Sequence, residues 1–138
     1  MNHIRLGVGL ALAILLGGTG CVTLHDTKET RVALERWFLS RKKPPDANFS
    51  GMWNSTPWGP SYLQQTGPDV RGKIGTYRVR GIVEGRKAYL VFLRGERMEW
   101  SGVLDMPDLE RLIGGVSRTI PFDPDNSRPL TLRRIYPK

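Results

Sequence analysis

The chain has 138 residues, with 21 Lys and Arg against 13 Asp and Glu, so it is long enough for one domain and short for two. Its 16 Gly and 10 Pro favour many turns and short strands over long helices. The positive charge favours anionic partners, with a solvated charged surface as the alternative.

The first 20 residues have the layout of a signal peptide. Arg5 precedes an apolar run from Leu6 to Leu16, and small residues then lead to Cys21. The run is shorter than the roughly 20 apolar residues of a membrane-spanning helix, so cleavage is predicted. Loss of residues 1–20 removes Arg5 and leaves a net charge of +7 (20 − 13). Export makes nucleic acid the least favoured anionic partner.

The end of this leader resembles the lipobox of bacterial lipoproteins, in which small residues precede an acylated cysteine. Thr19, Gly20 and Cys21 match that pattern, whereas Gly18 stands where the family usually has leucine. The resemblance implies acylation of Cys21, as with palmitate. Val22, in place of a retention aspartate, implies the outer membrane facing the periplasm. Cys21 is also the chain's only cysteine, so an intermolecular disulfide or an incidental thiol is the alternative.

A helix is predicted over Thr27 to Lys42. Asp26, with an acid three residues later, forms a capping pattern, and Pro44-Pro45 ends the helix. Basic residues surround the aromatic pair Trp37 and Phe38, which is typical of helices that lie on a membrane surface. The alternative is that this pair packs onto the following domain.

From Phe49 onward the sequence predicts a run of short antiparallel strands, because turn residues recur between apolar segments. Connections this short make consecutive strands neighbours. We therefore predict a mainly β fold: a small antiparallel meander or up-and-down barrel-like sheet preceded by one short N-terminal α-helix. The predicted strands are Ser50–Ser55, Ser61–Thr66, Val70–Gly75, Tyr77–Val83, Lys87–Arg94, Arg97–Leu104, Leu112–Ile120 and Leu130–Ile135. The predicted organisation is a signal peptide (1–20), a lipidated cysteine, basic amphipathic helix and Pro-rich linker (21–48), and a lipocalin-like β domain (49–138).

The alternation of side chains predicts which faces are buried. Alternate residues from Tyr77 to Val83 are apolar or small, so one face of that strand is predicted to point inward. The segment Tyr89–Leu93 is apolar on both faces, which predicts a central strand covered on its other side by the helix. Met98, Trp100 and Leu104 are predicted to return on one face of the next strand.

The sequence Gly51-Met52-Trp53 resembles the Gly-x-Trp opening of lipocalins and avidin-like proteins, where the tryptophan closes one end of an up-and-down barrel. Val70-Arg71-Gly72 and Leu112-Ile113-Gly114 resemble the turns into later strands of lipocalin-like extracytoplasmic domains. Arg133 is similar to the closing-strand arginine that often stacks on that tryptophan. The resemblance implies a barrel, although about 90 residues are few for eight strands that enclose a ligand.

The usual catalytic and metal-binding groups are missing from the β domain. His3 leaves with the leader and His25 lies beside the anchor, so histidine-dependent nucleophiles and zinc sites of the His/Cys kind are excluded. Asp123-Pro124-Asp125-Asn126 begins like a calcium loop but is predicted to be a turn. No catalytic residue, metal or cofactor is predicted. A carboxylate-dependent hydrolase is the remaining enzymatic alternative, through Glu84, Glu96, Glu99 and Asp105.

The sequence thus predicts a non-enzymatic envelope lipoprotein, held on the membrane through Cys21, whose β domain binds an apolar or amphipathic ligand or an envelope protein. If the domain encloses a ligand, its aromatic side chains are predicted to line the cavity: Trp53, Trp58, Tyr62, Tyr89, Phe92 and Trp100. An ordinary packed core is the alternative. A second hypothesis is an assembly subunit that acts through sheet edges or through a basic face of Arg78, Arg80 and Arg133.

Overall fold

A closed barrel of eight antiparallel strands, preceded by one short helix, forms the body of the protein. The computed structural model describes residues 22–24 and 27–136, so the predictions for Cys21, His25 and Asp26 lie outside the described residues. The elements are β1 (Val22–Thr23), α1 (Lys28–Leu39), β2 (Gly51–Thr56), β3 (Gly59–Thr66), β4 (Asp69–Ile74), β5 (Tyr77–Glu84), β6 (Lys87–Arg94), β7 (Arg97–Asp108), β8 (Arg111–Ser117), β9 (Thr119–Ile120), a 3₁₀ turn (Pro124–Asn126) and β10 (Arg128–Ile135). The prediction of a mainly β meander after one helix is confirmed.

Strands β2 to β8 pair consecutively, and β10 closes the barrel by pairing with both β8 and β2. Thr131 lies opposite Ile113 on one side and Thr56 on the other. The predicted strand Leu112–Ile120 is in fact two strands, because β9 leaves the barrel after Arg118 and pairs with β1. Every barrel strand therefore has two neighbours, and the sheet edges invoked for an assembly subunit do not exist in the described barrel.

Large side chains pack the barrel interior. Trp53 and Phe92 have no exposed surface, and Trp100 is 5% exposed. Along β5 the inward residues alternate with exposed Arg78 and Arg80, as predicted. An eight-stranded barrel is just wide enough for side chains to fill its interior. In this barrel the buried side chains of the core cluster fill that space.

A β-bulge at Glu99 separates two residues that were predicted to share a face. Phe92 lies opposite Trp100 while the next residue, Leu93, lies opposite Met98, so Glu99 is the extra residue of β7. Trp100 consequently packs inside the barrel and Met98 packs outside it against the helix. The prediction of one common face is wrong at this position.

Helix α1 covers the outside of the barrel. Leu34, Trp37 and Phe38 are buried against an outer cluster that includes Val91 of β6, and the Trp37 and Tyr89 rings meet edge-on at 5.7 Å. The predicted cover of β6 by the helix is confirmed, and Trp37 and Phe38 follow the packing alternative.

The helix is shorter than predicted at its C-terminal end. Its N-cap is Thr27, whose hydroxyl accepts a hydrogen bond of 3.2 Å from the Thr30 amide. The helix stops at Leu39, and the Lys42 and Lys43 amides donate to the Glu84 carboxylate instead of extending it. The linker after the helix is thus fastened to the barrel.

Gly72 and Gly114 lie inside strands, within the predicted strand bounds, and not at the turns that the lipocalin-like resemblance implied. Gly72 belongs to β4 and Gly114 to β8, where a Cβ would collide with the carbonyl oxygens of Tyr62 and Val103 respectively. They are needed because neighbouring strands approach closely. The turn predicted at Asp123 is confirmed, since its carboxylate accepts from the Asp125 amide at 3.0 Å.

Candidate binding surfaces

The six aromatic residues predicted to line a cavity do not come together. Trp58, Phe92 and Trp100 meet at the end of the barrel that carries the β2–β3 turn, whereas Trp53 lies near the opposite end. Tyr62 and Tyr89 point outward: Tyr62 is 48% exposed and Tyr89 packs under the helix. The placement of these two tyrosines in a cavity is therefore wrong, because Ser61 and Leu63, and likewise Leu90 and Phe92, take the inward positions.

Trp53 closes its end of the barrel. Its indole nitrogen donates to the Phe49 carbonyl at 3.1 Å, and the Arg134 guanidinium lies 4.2 Å from its ring centroid. Arg134 also donates to the carbonyls of Ser50, at 2.9 Å, and Leu109, at 2.7 Å. The stacking arginine is thus Arg134, and the correspondence proposed for Arg133 is off by one residue. This end is sealed rather than open to a ligand.

The other end holds a packed aromatic cluster. Trp58 lies 4.8 Å from Tyr77 and 5.6 Å from Phe92 between ring centroids. The Tyr77 hydroxyl, which the sequence did not single out, accepts from the Trp100 indole at 3.1 Å and from Arg94 at 2.9 Å. This hydrogen bond to Tyr77, followed by one to Glu99, raises the pKa of Arg94.

Arginines cover the same cluster from outside. The Arg118 guanidinium lies 4.0 Å and that of Arg128 5.3 Å from the Trp100 ring. A guanidinium over an aromatic face is attracted to the ring, and here the two arginines also cover the Trp100 ring on its solvent side. The aromatic residues at this end therefore form a core with a cationic cover.

The four candidate acids of a hydrolase each have a different partner. Glu99 lies 3.2 Å from Arg94, and Asp105 lies 3.3 Å from Lys87. Glu96 is 91% exposed at 3.9 Å from Arg78. Hydrogen bonds from the Lys43 and Lys42 amides lower the pKa of Glu84, with a further contribution from Arg41. In the part of the chain that the structure describes, no group of three or more metal-ligating side chains could hold an ion.

An open groove lies on the outer face of the barrel. It has a volume of about 1090 Å³ and runs between α1 and strands β3 to β5. Five basic and two acidic residues line it: Arg31, Arg71, Lys73, Arg78 and Arg80, with Glu35 and Glu96. The groove is therefore strongly cationic.

Strand register sets four of these cations in a compact block. Arg71 lies directly opposite Arg80, and Lys73 directly opposite Arg78; all four are exposed on the outer face. Opposed side chains start about 5 Å apart and alternate residues along a strand about 7 Å apart. We call Arg71, Lys73, Arg78 and Arg80 the cationic square.

No family model, curated protein or solved structure matches the chain. Its functional interpretation therefore depends on the residues themselves. Among the described residues, no helix is both long enough and apolar enough to cross a bilayer.

The predicted basic face is divided by the barrel. Arg78 and Arg80 belong to the square on β5, whereas Arg133 lies on β10. In the order β10-β2-β3-β4-β5-β6-β7-β8, strand β10 is four steps from β5 in either direction. Arg133 is thus on the opposite side of the barrel. The prediction that Arg78, Arg80 and Arg133 form one basic face is wrong.

Sequence reasoning did not single out Arg71 and Lys73. The signal was present in the short turn at Gly75-Thr76, because a tight hairpin fixes the pairing of the strands on either side. Counting back from that turn pairs Lys73 with Arg78 and Arg71 with Arg80. The register of one hairpin was therefore enough to find the cationic square.

Proposed function

We propose that the chain is an exported, non-enzymatic lipoprotein of the bacterial cell envelope, anchored through acylated Cys21, whose barrel is a binding module that works through its outer surface. The leader, the small residues before Cys21 and its status as the sole cysteine support the anchor. Val22 supports the outer membrane. The packing of the interior supports use of the outer surface indirectly. The aromatic side chains inside the barrel pack against one another and leave the outer surface as the place for a partner.

One observation carries the choice of the outer surface. The two aromatic ends of the barrel are occupied by Trp53 with Arg134 and by Trp58 with Tyr77. The groove beside α1 is open, and two exposed glutamates offset its positive charge only in part. Concave surfaces with a few converging polar groups are where ligands and partners usually bind. The partner is an anionic or amphipathic ligand, or an envelope protein with an acidic patch.

The anchor is tested by Cys21→Ser. Serine has no thiol to accept the acyl chain, so the variant is expected to be exported but unprocessed or soluble, and to lose labelling by a palmitate analogue. The unaltered chain is the control in the same membrane fractionation. Unchanged gel mobility together with unchanged membrane association of the variant would refute the anchor.

The binding surface is tested by photo-crosslinking in the envelope. A crosslinking residue placed at Tyr62, which is exposed in the groove, is expected to capture the partner, whereas one at exposed Ile113 on β8 serves as the matched control. Recovery of one stoichiometric protein favours an assembly subunit, and recovery of lipid favours an amphipathic ligand. Equal crosslinking at both positions, or none at Tyr62, would count against the outer groove.

A further inference from the structure

We propose that the cationic square is a binding site for a phosphate-bearing anion. The inference deepens the proposed use of the outer surface and rests on it. It names the chemistry of the ligand, which is an oxyanion with several acceptor oxygens and at least one full negative charge. The four side chains would converge on it from two adjacent strands.

The arrangement of charge in the square is unfavourable without such a ligand. Like charges directly opposite each other in a sheet destabilise the pair, and here two such pairs lie side by side. At one other position of the barrel the directly opposite residue carries the opposite charge, since Lys87 lies opposite Asp105 with 3.3 Å between their charged groups.

The carboxylates near the square neutralise it only in part. Glu35 is 3.5 Å from Arg80, and Glu96 is 3.9 Å from Arg78, and both carboxylates are well exposed, so these pairs contribute little. Within the described residues, Arg71 and Lys73 have no carboxylate partner. The other opposed arginines form isolated pairs, and one arginine of each pair has a carboxylate at 3.2 Å or closer. The cationic square differs from these isolated pairs because it brings two opposed cationic pairs together.

The cross-strand neighbours of Arg71 and Lys73 on β3 supply neutral hydrogen-bonding groups. Tyr62 lies opposite Lys73 and Gln64 opposite Arg71 on β3, and both line the groove. Guanidinium groups bind phosphate through two parallel hydrogen bonds, and a lysine adds a compact positive charge. A phosphate presents oxygens in several directions, so it can accept from side chains on both strands at once, which a planar carboxylate does less well.

The position of the groove is consistent with either a lipid headgroup or a soluble phosphate compound. Strand β1 begins one residue after Cys21, and Leu24 directly after it packs in the same outer cluster as α1. The first described strand, β1, therefore lies beside the helix that forms the groove wall. The experiment separates the two sources.

The test uses the full chain purified in a neutral detergent, with binding measured by calorimetry at low ionic strength. The anionic phosphate probes are sodium tripolyphosphate and detergent micelles doped with phosphatidylglycerol. The controls are citrate and micelles doped with phosphatidylcholine. Arg71→Gln and Lys73→Gln are each expected to weaken binding by about tenfold, since each removes a charge-assisted contact. Arg133→Gln removes the same charge on the opposite side of the barrel and is expected to leave the affinity within about twofold.

A second readout separates a site from a folding defect. Arg71→Gln relieves repulsion with Arg80, so it is expected to raise the melting temperature in low salt while weakening binding. A variant that merely misfolds would lower both. Binding of tripolyphosphate identifies a soluble phosphate compound as a sufficient ligand, and binding confined to phosphatidylglycerol identifies a headgroup; either result supports the site.

The inference is overturned by absence of binding to both anionic phosphate probes, by an equal loss of affinity in Arg133→Gln, or by phosphatidylcholine micelles binding as tightly as the anionic probes. Citrate binding as tightly as tripolyphosphate would overturn the phosphate assignment. These outcomes are distinct from failure of the proposed function. A protein captured at Tyr62 without any phosphate binding would leave the outer-surface proposal intact and remove this one.

Discussion

At the scale of single residues, Trp53 is the largest fully buried side chain among the described residues. It has no exposed surface and fixes its end of the barrel through the Phe49 carbonyl. Trp53→Ala is expected to lower the free energy of unfolding by about 3–5 kcal/mol, because it removes many apolar contacts and leaves a cavity. Denaturant or thermal melts measure the loss.

Trp58→Ala is the matched control for this change. Trp58 follows Pro57 in the β2–β3 turn and is only partly buried, so its removal is expected to have a smaller effect. Equal and small shifts in the two variants would show that Trp53 does not close the barrel.

Arg134 combines three contacts that a lysine cannot reproduce. Its planar guanidinium stacks on Trp53 while donating to the Ser50 and Leu109 carbonyls. Arg134→Lys keeps the charge but loses this geometry, so a loss of about 1–2 kcal/mol in unfolding free energy is expected. Arg133→Lys, one residue earlier and exposed, is expected to change nothing measurable. A larger loss of unfolding free energy in Arg133→Lys than in Arg134→Lys, measured by chemical denaturation, would instead support Arg133 as the stacking arginine.

The sequence contained enough information to choose Arg134 rather than Arg133 as the arginine that stacks on Trp53. Leu130 and Leu132 point inward, and the period of two in a strand puts Arg134, rather than Arg133, on that same side. The bulge at Glu99 had no such signal. It depends on the pairing of β6 with β7, which no local pattern in that segment encodes, so the faces of Met98 and Trp100 could not be separated in advance.

At the scale of elements, helix α1 is part of the folded domain. Leu34 is 1% exposed in the outer cluster, whereas Val32 on the same helix is 47% exposed. Leu34→Ala is expected to lower the unfolding free energy by about 2–5 kcal/mol. Val32→Ala is expected to be neutral or slightly stabilising, because alanine favours the helix. Equal effects on thermal unfolding would mean that the helix does not pack on the barrel as described.

The linker after the helix gives the protein a specific acid sensitivity. The pKa of Glu84 is lowered by the Lys43 and Lys42 amides, so its contribution to stability is complete above pH 4.5, its ordinary pKa, and is lost as the pH falls through the lowered value in the folded state. Glu84→Gln keeps an acceptor for the amides but cannot titrate. We expect its melting temperature to fall less steeply between about pH 5 and pH 3 than that of the unaltered chain.

Glu96→Gln is the control for this titration, since the Glu96 side chain is 91% exposed. Comparison of the two variants separates loss of the linker contact from loss of one surface carboxylate. Parallel acid profiles for Glu84→Gln and the unaltered chain would show that the linker contact does not contribute.

The sequence predicted most elements because short turns and alternating side chains are local signals. Strand β6 was predicted with its observed bounds, Lys87–Arg94, and its two apolar faces correctly indicated cover by the helix. The candidate site was harder to predict. Tyr62 and Tyr89 were assigned inward because they are aromatic, although the residues flanking each of them already occupied the inward positions.

At the scale of the whole molecule, excess positive charge is spread over a small surface. The formal net charge is +8, and repulsion within such a surface destabilises the compact state. Salt at about 0.1 M screens charges beyond about 10 Å. The melting temperature is therefore expected to rise as sodium chloride is increased from about 10 to 200 mM, with potassium chloride as a control for ion-specific effects. A fall with both salts would mean that ion pairs outweigh repulsion.

Closure of the barrel by β10 also constrains when the chain can fold. Met52 of β2 and Ile135 of β10 are partners in the register although they are 83 residues apart in sequence, and contacts of such long sequence separation form late and slowly. A nascent chain that lacks its last eight-residue strand would expose two unpaired strands, β2 and β8, for pairing with other chains. For a protein proposed to leave the cytoplasm, the consequence is that the barrel cannot close before β10 has been synthesised, which leaves time for export of the chain in an unclosed state.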